Sequence, residues 1–225
     1  MLKINIKDNP ELKKNITSKN KKLFYDFNTN NQSFLELAIE LKRLGIRNNK
    51  LHLVLYDKSL SGVDPYDPNL TDNVKARIVK ESIINFWYFI REVVRIPVPG
   101  SSVHFAIHRG NLAMCFCLLN NLNTVLMLPR QHYKTYSAVG FYLWIELLVG
   151  RNYQMIFSHK SLTDSIANLK RLTALFELLP TYMTEPILNS KNDKNAETIL
   201  TIDSINNTIR TIGPSTDIAS ADKSG

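Results

Sequence analysis

The chain changes its hydrophobic period near Asn123. Before that point apolar residues recur at helical spacing. "SFLELAIELKRLGI" puts Phe34, Leu37, Leu41 and Leu44 on one helical face, and Gly45 suits the stop. "LHLVLYD" fits either a short strand or a helix end, and "GVDPYDP" is a turn-rich connector. Thr71 or Asp72 can cap a helix reaching about Arg95, with Ile83, Ile84, Trp87, Phe89, Ile90, Val93 and Val94 on a broad face. "PVPG" stops it, and a second helical run follows from about Arg109 to Leu119.

After Asn123 strands and helices alternate. "TVLML", Thr124 to Leu128, is a short apolar run of strand character, and Tyr136 to Val149 is a helix apolar nearly all round. "YQMIFS" is a further strand. The stretch from Ser161 to Pro180 is amphipathic, with Leu162, Ile166, Leu169, Leu172, Leu175 and Phe176 at helical spacing. "ETILTIDSINNTIRTIG" alternates on both sides of Asn206-Asn207, as a hairpin does. This order implies an α/β fold with a parallel sheet covered by helices on its faces. Residues 1–70 are expected to form a helical, basic appendage, and 71–225 the α/β portion.

Charge adds one permission. The net charge of +8 admits a polyanionic partner, and Lys3, Lys7, Lys13, Lys14, Lys19, Lys21 and Lys22 crowd the first stretch. A solvated basic arm and a nucleic-acid contact both fit them. The two cysteines, Cys115 and Cys117, have no second Cys/His pair beside them and read as buried reduced thiols. No signal peptide is expected, because the first residues lack a continuous apolar core. No membrane span is expected either: Asn120, Asn121 and Asn123 interrupt one apolar run, and Glu146 falls within the other.

The chemistry concentrates where "LPRQHYKT" leads into the apolar helix. A phosphate-binding loop aims backbone N–H groups and a helix N-terminus at the phosphates. A lysine neutralises the β/γ oxygens, and a Ser/Thr hydroxyl takes Mg²⁺. Lys134 and Thr135 stand at that junction, but Leu128 and Tyr133 occupy the positions usually held by glycine. By pattern alone a nucleotide site and a chance Lys-Thr at a helix start are both open. His132 reads as an exposed spacer or a phosphate contact. His159-Lys160 follows a strand end, where ligands gather in such sheets, so it fits a nucleotide or DNA contact, and it fits equally a surface cap of the following helix. Ser161 is a candidate helix cap with Asp164 as its acidic partner.

The order and spacing of these segments resemble the large terminase subunit, the genome-packaging motor of tailed bacteriophages. Arg130-Gln131 and Lys134-Thr135 keep the flanks of that family's loop, while Tyr133 stands for its glycine. His159-Lys160 and Leu178-Leu179-Pro180 also match, and the closing "ADKSG" looks like the approach to a short Arg-Gly motif. The resemblance covers about residues 85–225. It implies a RecA-like P-loop three-layer core, incomplete at its C-terminal side, that binds ATP and Mg²⁺. Under it, Pro129, Arg130, Gln131, His132, Tyr133, Lys134 and Thr135 form the nucleotide loop. Lys134 meets the β/γ phosphates, Thr135 ligands the metal, Gln131 shapes the loop, and Arg130 acts on the γ-phosphate as an arginine finger in cis. The adenine-reading position falls near "AIHRGNLA", with Asn111 its nearest equivalent; Asn111 also reads simply as a helix-start residue. The partners implied are double-stranded DNA, the procapsid portal protein, the small terminase subunit and further copies in a ring, in the host cytoplasm.

Hydrolysis in that family needs an Asp-Glu pair ending an apolar strand. No such pair follows Ile212, and Asp203 and Asp217 lack the preceding hydrophobic run. The expectation is therefore an N-terminal fragment of the motor, inactive by itself. Two alternatives remain: a helicase-like P-loop ATPase, and a non-catalytic nucleic-acid-binding assembly module whose loop has degenerated.

Overall fold

The computed structural model describes residues 23–125, 127, 134–188 and 193–213. Strand β1 (Phe24–Tyr25) pairs antiparallel with β2 (Val54–Leu55), with helix α1 (Gln32–Arg43) between them. Helix α1 buries Phe34, Leu37 and Leu41 as its spacing requires, while Leu44 falls outside it and is exposed. Gly45 ends it at φ +74, donating to Lys42, and Ile46 donates to Leu41, the paired bonds of a Schellman stop. The ambiguous "LHLVLYD" is both things in turn: a single tight helical turn over Leu51–Leu53, then β2.

The helix expected from 72 to 95 is broken. Helix α2 (Asp72–Ile84) stops at Asn85, whose φ of −134° and ψ of 90° are extended. A short helix α3 (Phe86–Tyr88) and a π-helical turn over Phe89–Val93 follow. The cause is the Asn85 side chain. It accepts from the Tyr88 N–H at 3.2 Å, capping the second helix, and donates to the Val54 carbonyl at 2.9 Å and Glu81 at 2.7 Å. "PVPG" does more than stop a helix: β3 (Arg95–Val98) and β4 (Ser101–His104) form a hairpin around it, with Gly100 at φ +73.

Helix α4 (Arg109–Leu119) has the predicted bounds, and α5 (Lys134–Trp144) runs on into a π-helical turn over Ile145–Val149. Strand β5 (Gln154–Ser158), helix α6 (Leu162–Glu177) and the short α7 (Thr181–Thr184) follow, then β6 (Lys194–Ala196), β7 (Ile199–Ile202) and β8 (Asn207–Ile212). The sheet order is β5-β8-β7-β6. Strands β5 and β8 are parallel, as an α/β crossover demands, while β8-β7-β6 run antiparallel. Asn206, at φ +53, turns β7 into β8.

Two expectations change here. The sheet is mixed, and among the described residues helices cover one face of it. Met155, Leu200, Ile202 and Ile209 share the core with Leu169 and Leu172 of α6, whereas Gln154, Ile156 and Ser158 alternate outward and are exposed. A hairpin return needs no crossover helix, so β6 and β7 bring none to the second face. The strand expected over Thr124–Leu128 is not observed among its described residues. Thr124, Val125 and Met127 lie in no strand, and Val125 and Met127 are 90% and 92% exposed. An apolar run becomes a strand only beside a partner for its backbone, and no described strand pairs with it.

One hydrophobic core joins Phe34, Leu41 and Leu53 to Ile78, Phe105, Trp144 and Leu172, residues from both sides of position 70. Polar groups reinforce the joint. Asn31 donates to the carbonyls of Arg91 and Phe105 at 3.1 and 2.9 Å, and the Glu81 carboxylate accepts from the N–H groups of Tyr56 and Asp57. Arg91, fully buried, donates to Glu92 at 2.6 Å and lies 3.6 Å from Asp26. No helix among the described residues is long and apolar enough to cross a membrane.

Candidate functional site

The described part of helix α5 opens with Lys134, and Lys134 and Thr135 lie in its first described turn. Lys134 is half-buried and Thr135 exposed. Its first turn closes with Ser137, fully buried in a stretch that is otherwise apolar or aromatic. The Ser137 hydroxyl accepts a 2.8 Å bond from Asn111 Nδ2. Asn111 stands in the first turn of α4, where its Oδ1 accepts from the His108 N–H at 3.2 Å. The helix-start role read for Asn111 is thus filled. Its fully buried amide also ties the N-terminus of α4 to that of α5. A helix N-terminus carries partial positive charge.

The direction of α5 follows from its other end. Asn207, the first residue of β8, donates to the carbonyls of Glu146 and Gly150 at 2.6 and 3.2 Å, and its Oδ1 accepts from the Tyr153 N–H at 2.9 Å. The helix therefore ends where β5 and β8 begin. Its start, with Lys134 and Thr135, lies toward the end where those parallel strands finish.

That finishing end carries a second polar group. Ser158 and Ile212 are register partners, and Ser165 Oγ donates to the Ile212 carbonyl at 3.0 Å. Ser161 caps α6: its hydroxyl accepts from the Asp164 N–H at 3.1 Å and donates to Asp164 Oδ2 at 2.7 Å. His159 Nδ1 lies 3.4 Å from the same carboxylate. The Ser161 hydroxyl, with Lys160 and His159 beside it, holds the Asp164 carboxyl below the usual carboxylate range. His159 is thereby turned toward the cap of the helix that follows it.

Pro129, Arg130, Gln131, His132 and Tyr133 lie outside the described residues, as do Leu126, Leu128 and the lysine-rich first 22 residues. Among the described residues no cluster of three or more His, Cys, Asp or Glu could hold a metal. Thr135 is exposed, and its hydroxyl at a helix start suits a Mg²⁺ ligand that completes its shell with phosphate oxygens and water. Lys134 at the same start suits an anionic phosphate. Cys115 is buried, which pushes its thiol up to about 12; Cys117 is half-buried, and both are free.

Sequence reasoning missed Ser137 and Asn207. Each is a small polar residue in a mainly apolar element, a signal that a buried tether is needed there. No protein-family profile matches the chain, and no characterised protein matches its sequence.

Proposed function

We propose that this chain is the nucleotide-binding part of a DNA-packaging motor ATPase of the large-terminase kind. The observation that carries the reading is the Asn111–Ser137 bond, which joins two helix N-termini at the Lys134–Thr135 turn. Further support comes from the parallel pairing of β5 and β8 and from the course of α5, which starts toward their C-terminal ends and finishes where they begin. In this reading Lys134 neutralises phosphate charge and Thr135 ligands Mg²⁺. Asn111 is a positioning residue that fixes the helix start. Bound ATP–Mg²⁺ supplies the energy that the complete motor couples to DNA movement. Double-stranded DNA, a portal protein, a small terminase subunit and further copies in a ring are the partners proposed with it.

Titration of the chain with ATP–Mg²⁺ tests the proposal. Lys134→Ala should weaken binding at least about tenfold, ~1.4 kcal/mol. Equal affinity in both proteins would reject a nucleotide site at this turn.

One observation favours a second reading, a nucleic-acid-binding assembly module without nucleotide chemistry. Val125 and Met127, just before the loop, are almost fully exposed apolar side chains of the kind that mark protein contacts. DNA binding with no ATP affinity, unaffected by Lys134→Ala, would favour that module.

A further inference from the structure

Glu146 lies in the π-helical turn Ile145–Val149 that ends the helix begun at Lys134. It is 1% exposed, and neither carboxylate oxygen has a hydrogen-bond partner among the described residues. π-Helical turns insert a residue into a helix and recur at functional positions. This one is also gripped from outside. Asn207, itself fully buried, holds the carbonyls of Glu146 and Gly150 with one amide nitrogen and the Tyr153 N–H with its amide oxygen. The backbone from the acid to the start of β5 is thus tied, while its carboxylate has no such bond among the described residues.

Arg151, just past the turn, directs its guanidinium at the carbonyls of Leu148 and Gly150, at 3.5 and 2.6 Å, and donates no hydrogen bond to the Glu146 carboxyl. Tyr153, just before β5, feels the Glu146 carboxyl, and Tyr142 lies one turn back on α5. The α2 helix packs against the π-helical turn, but its Glu81 is engaged by Tyr56, Asp57 and Asn85. Among the described residues no Lys, Arg or His shifts the Glu146 carboxyl, and burial raises its pKa to about 8. An ionised carboxylate with no donor and no cation is costly in such a place, so the folded chain keeps the proton.

We propose that Glu146 is a proton-gated latch on the far end of α5. With its proton the side chain stays in the core and Asn207 keeps the helix end docked on β5 and β8. On losing it, the carboxylate draws water into this end of the core and the Asn207 grip opens. The latch acts on the element that carries Lys134 and Thr135 at its other end, yet it does not depend on nucleotide binding there.

The sign follows from the two protonation states. Between its ordinary value of 4.5 and about 8, the folded chain holds a proton that the unfolded chain has released. Glu146 therefore lowers the folding equilibrium constant about tenfold for each pH unit gained in that window, and contributes no further slope above it. The Glu146→Gln amide keeps the shape and cannot ionise.

Carbon-detected NMR titration of the Glu146 carboxyl in the full chain tests this directly, alongside urea denaturation of wild type and Glu146→Gln from about pH 6.5 to about pH 8, a window set by the carboxyl's raised pKa. The carboxyl should titrate near 8, and Glu146→Gln should remove the tenfold-per-unit fall. Amide exchange in Ile145–Gly150 and at Tyr153, corrected for intrinsic base catalysis, should rise above that pH in wild type and not in Glu146→Gln. A carboxyl midpoint below about 6, near the ordinary carboxylate range, would overturn the proposal. So would equal pH slopes in the two proteins, or equal exchange at alkaline pH. Should Glu146→Gln fail to fold, the wild-type carboxyl titration decides alone.

Discussion

Asn111 Nδ2 donates to Ser137 Oγ at 2.8 Å, between two side chains that are fully buried and 26 positions apart. The same amide accepts the His108 N–H through its oxygen, so one side chain organises the start of α4 and its contact with the start of α5. Removing it takes an acceptor from the part-buried His108 N–H and a donor from the buried Ser137 hydroxyl. Asn111→Ala should therefore cost about 1–3 kcal/mol of stability by urea denaturation. If the helix starts form a ligand site, Asn111→Ala should also weaken ATP–Mg²⁺ binding in the protein that remains folded. Loss of stability with unchanged affinity would assign the amide a purely structural role.

Thr135 is exposed and Lys134 half-buried, so the two should separate in a binding experiment. Thr135→Ala should reduce the Mg²⁺ dependence of ATP binding more than the affinity for metal-free nucleotide, measured by titration with and without Mg²⁺. Tyr133→Gly is the companion, because glycine restores the backbone freedom such loops use. Weaker binding in Tyr133→Gly would show that tyrosine belongs to a working loop; stronger binding would show that it impairs one.

His52 is fully buried, with Nε2–H donating to the Phe34 carbonyl at 2.9 Å and Nδ1 lacking a hydrogen-bond partner among the described residues. Burial, with the Arg91 guanidinium nearby, lowers its pKa from 6.5 to about 4. Below 6.5 the unfolded chain takes up a proton that the folded chain refuses, so stability falls as the pH drops toward 4. The total is about 3 kcal/mol by linkage. His52→Gln, which can keep the bond to Phe34, should flatten this acid limb in denaturation curves. An unchanged limb would mean that other groups govern it.

Gly45 ends α1 at φ +74, and a Cβ there would meet nothing within 4 Å. The cost of Gly45→Ala is thus backbone strain alone, about 1–2 kcal/mol for an L-residue in the left-handed region. Gly45→Asn should recover part of it, since asparagine tolerates that region better. Thermal denaturation of the two variants checks the order. A destabilisation well above this range would mean that the stop supports packing beyond its own turn.

The sequence by itself determined the elements whose signals are local. Gly45 stops α1, Asn111 opens α4, Ser161 with Asp164 opens α6, and Asn206 turns β7 into β8. The helix after Lys134 was legible for a local reason too: the apolar run that follows is too long for an ordinary strand. Tertiary structure decided whatever needed a distant partner. Asn85 breaks the long helix because its amide also reaches Val54, 31 positions away. "PVPG" becomes a hairpin because β3 and β4 pair across it, and the exposed Val125 and Met127 stay out of a sheet in which no described strand receives them. Glu146 looked like an interruption of an apolar run. Only packing against α2 and the grip of Asn207 made it a buried acid with no hydrogen-bond partner among the described residues. Periodicity and caps are properties of neighbours along the chain, whereas burial and pairing are properties of neighbours in space.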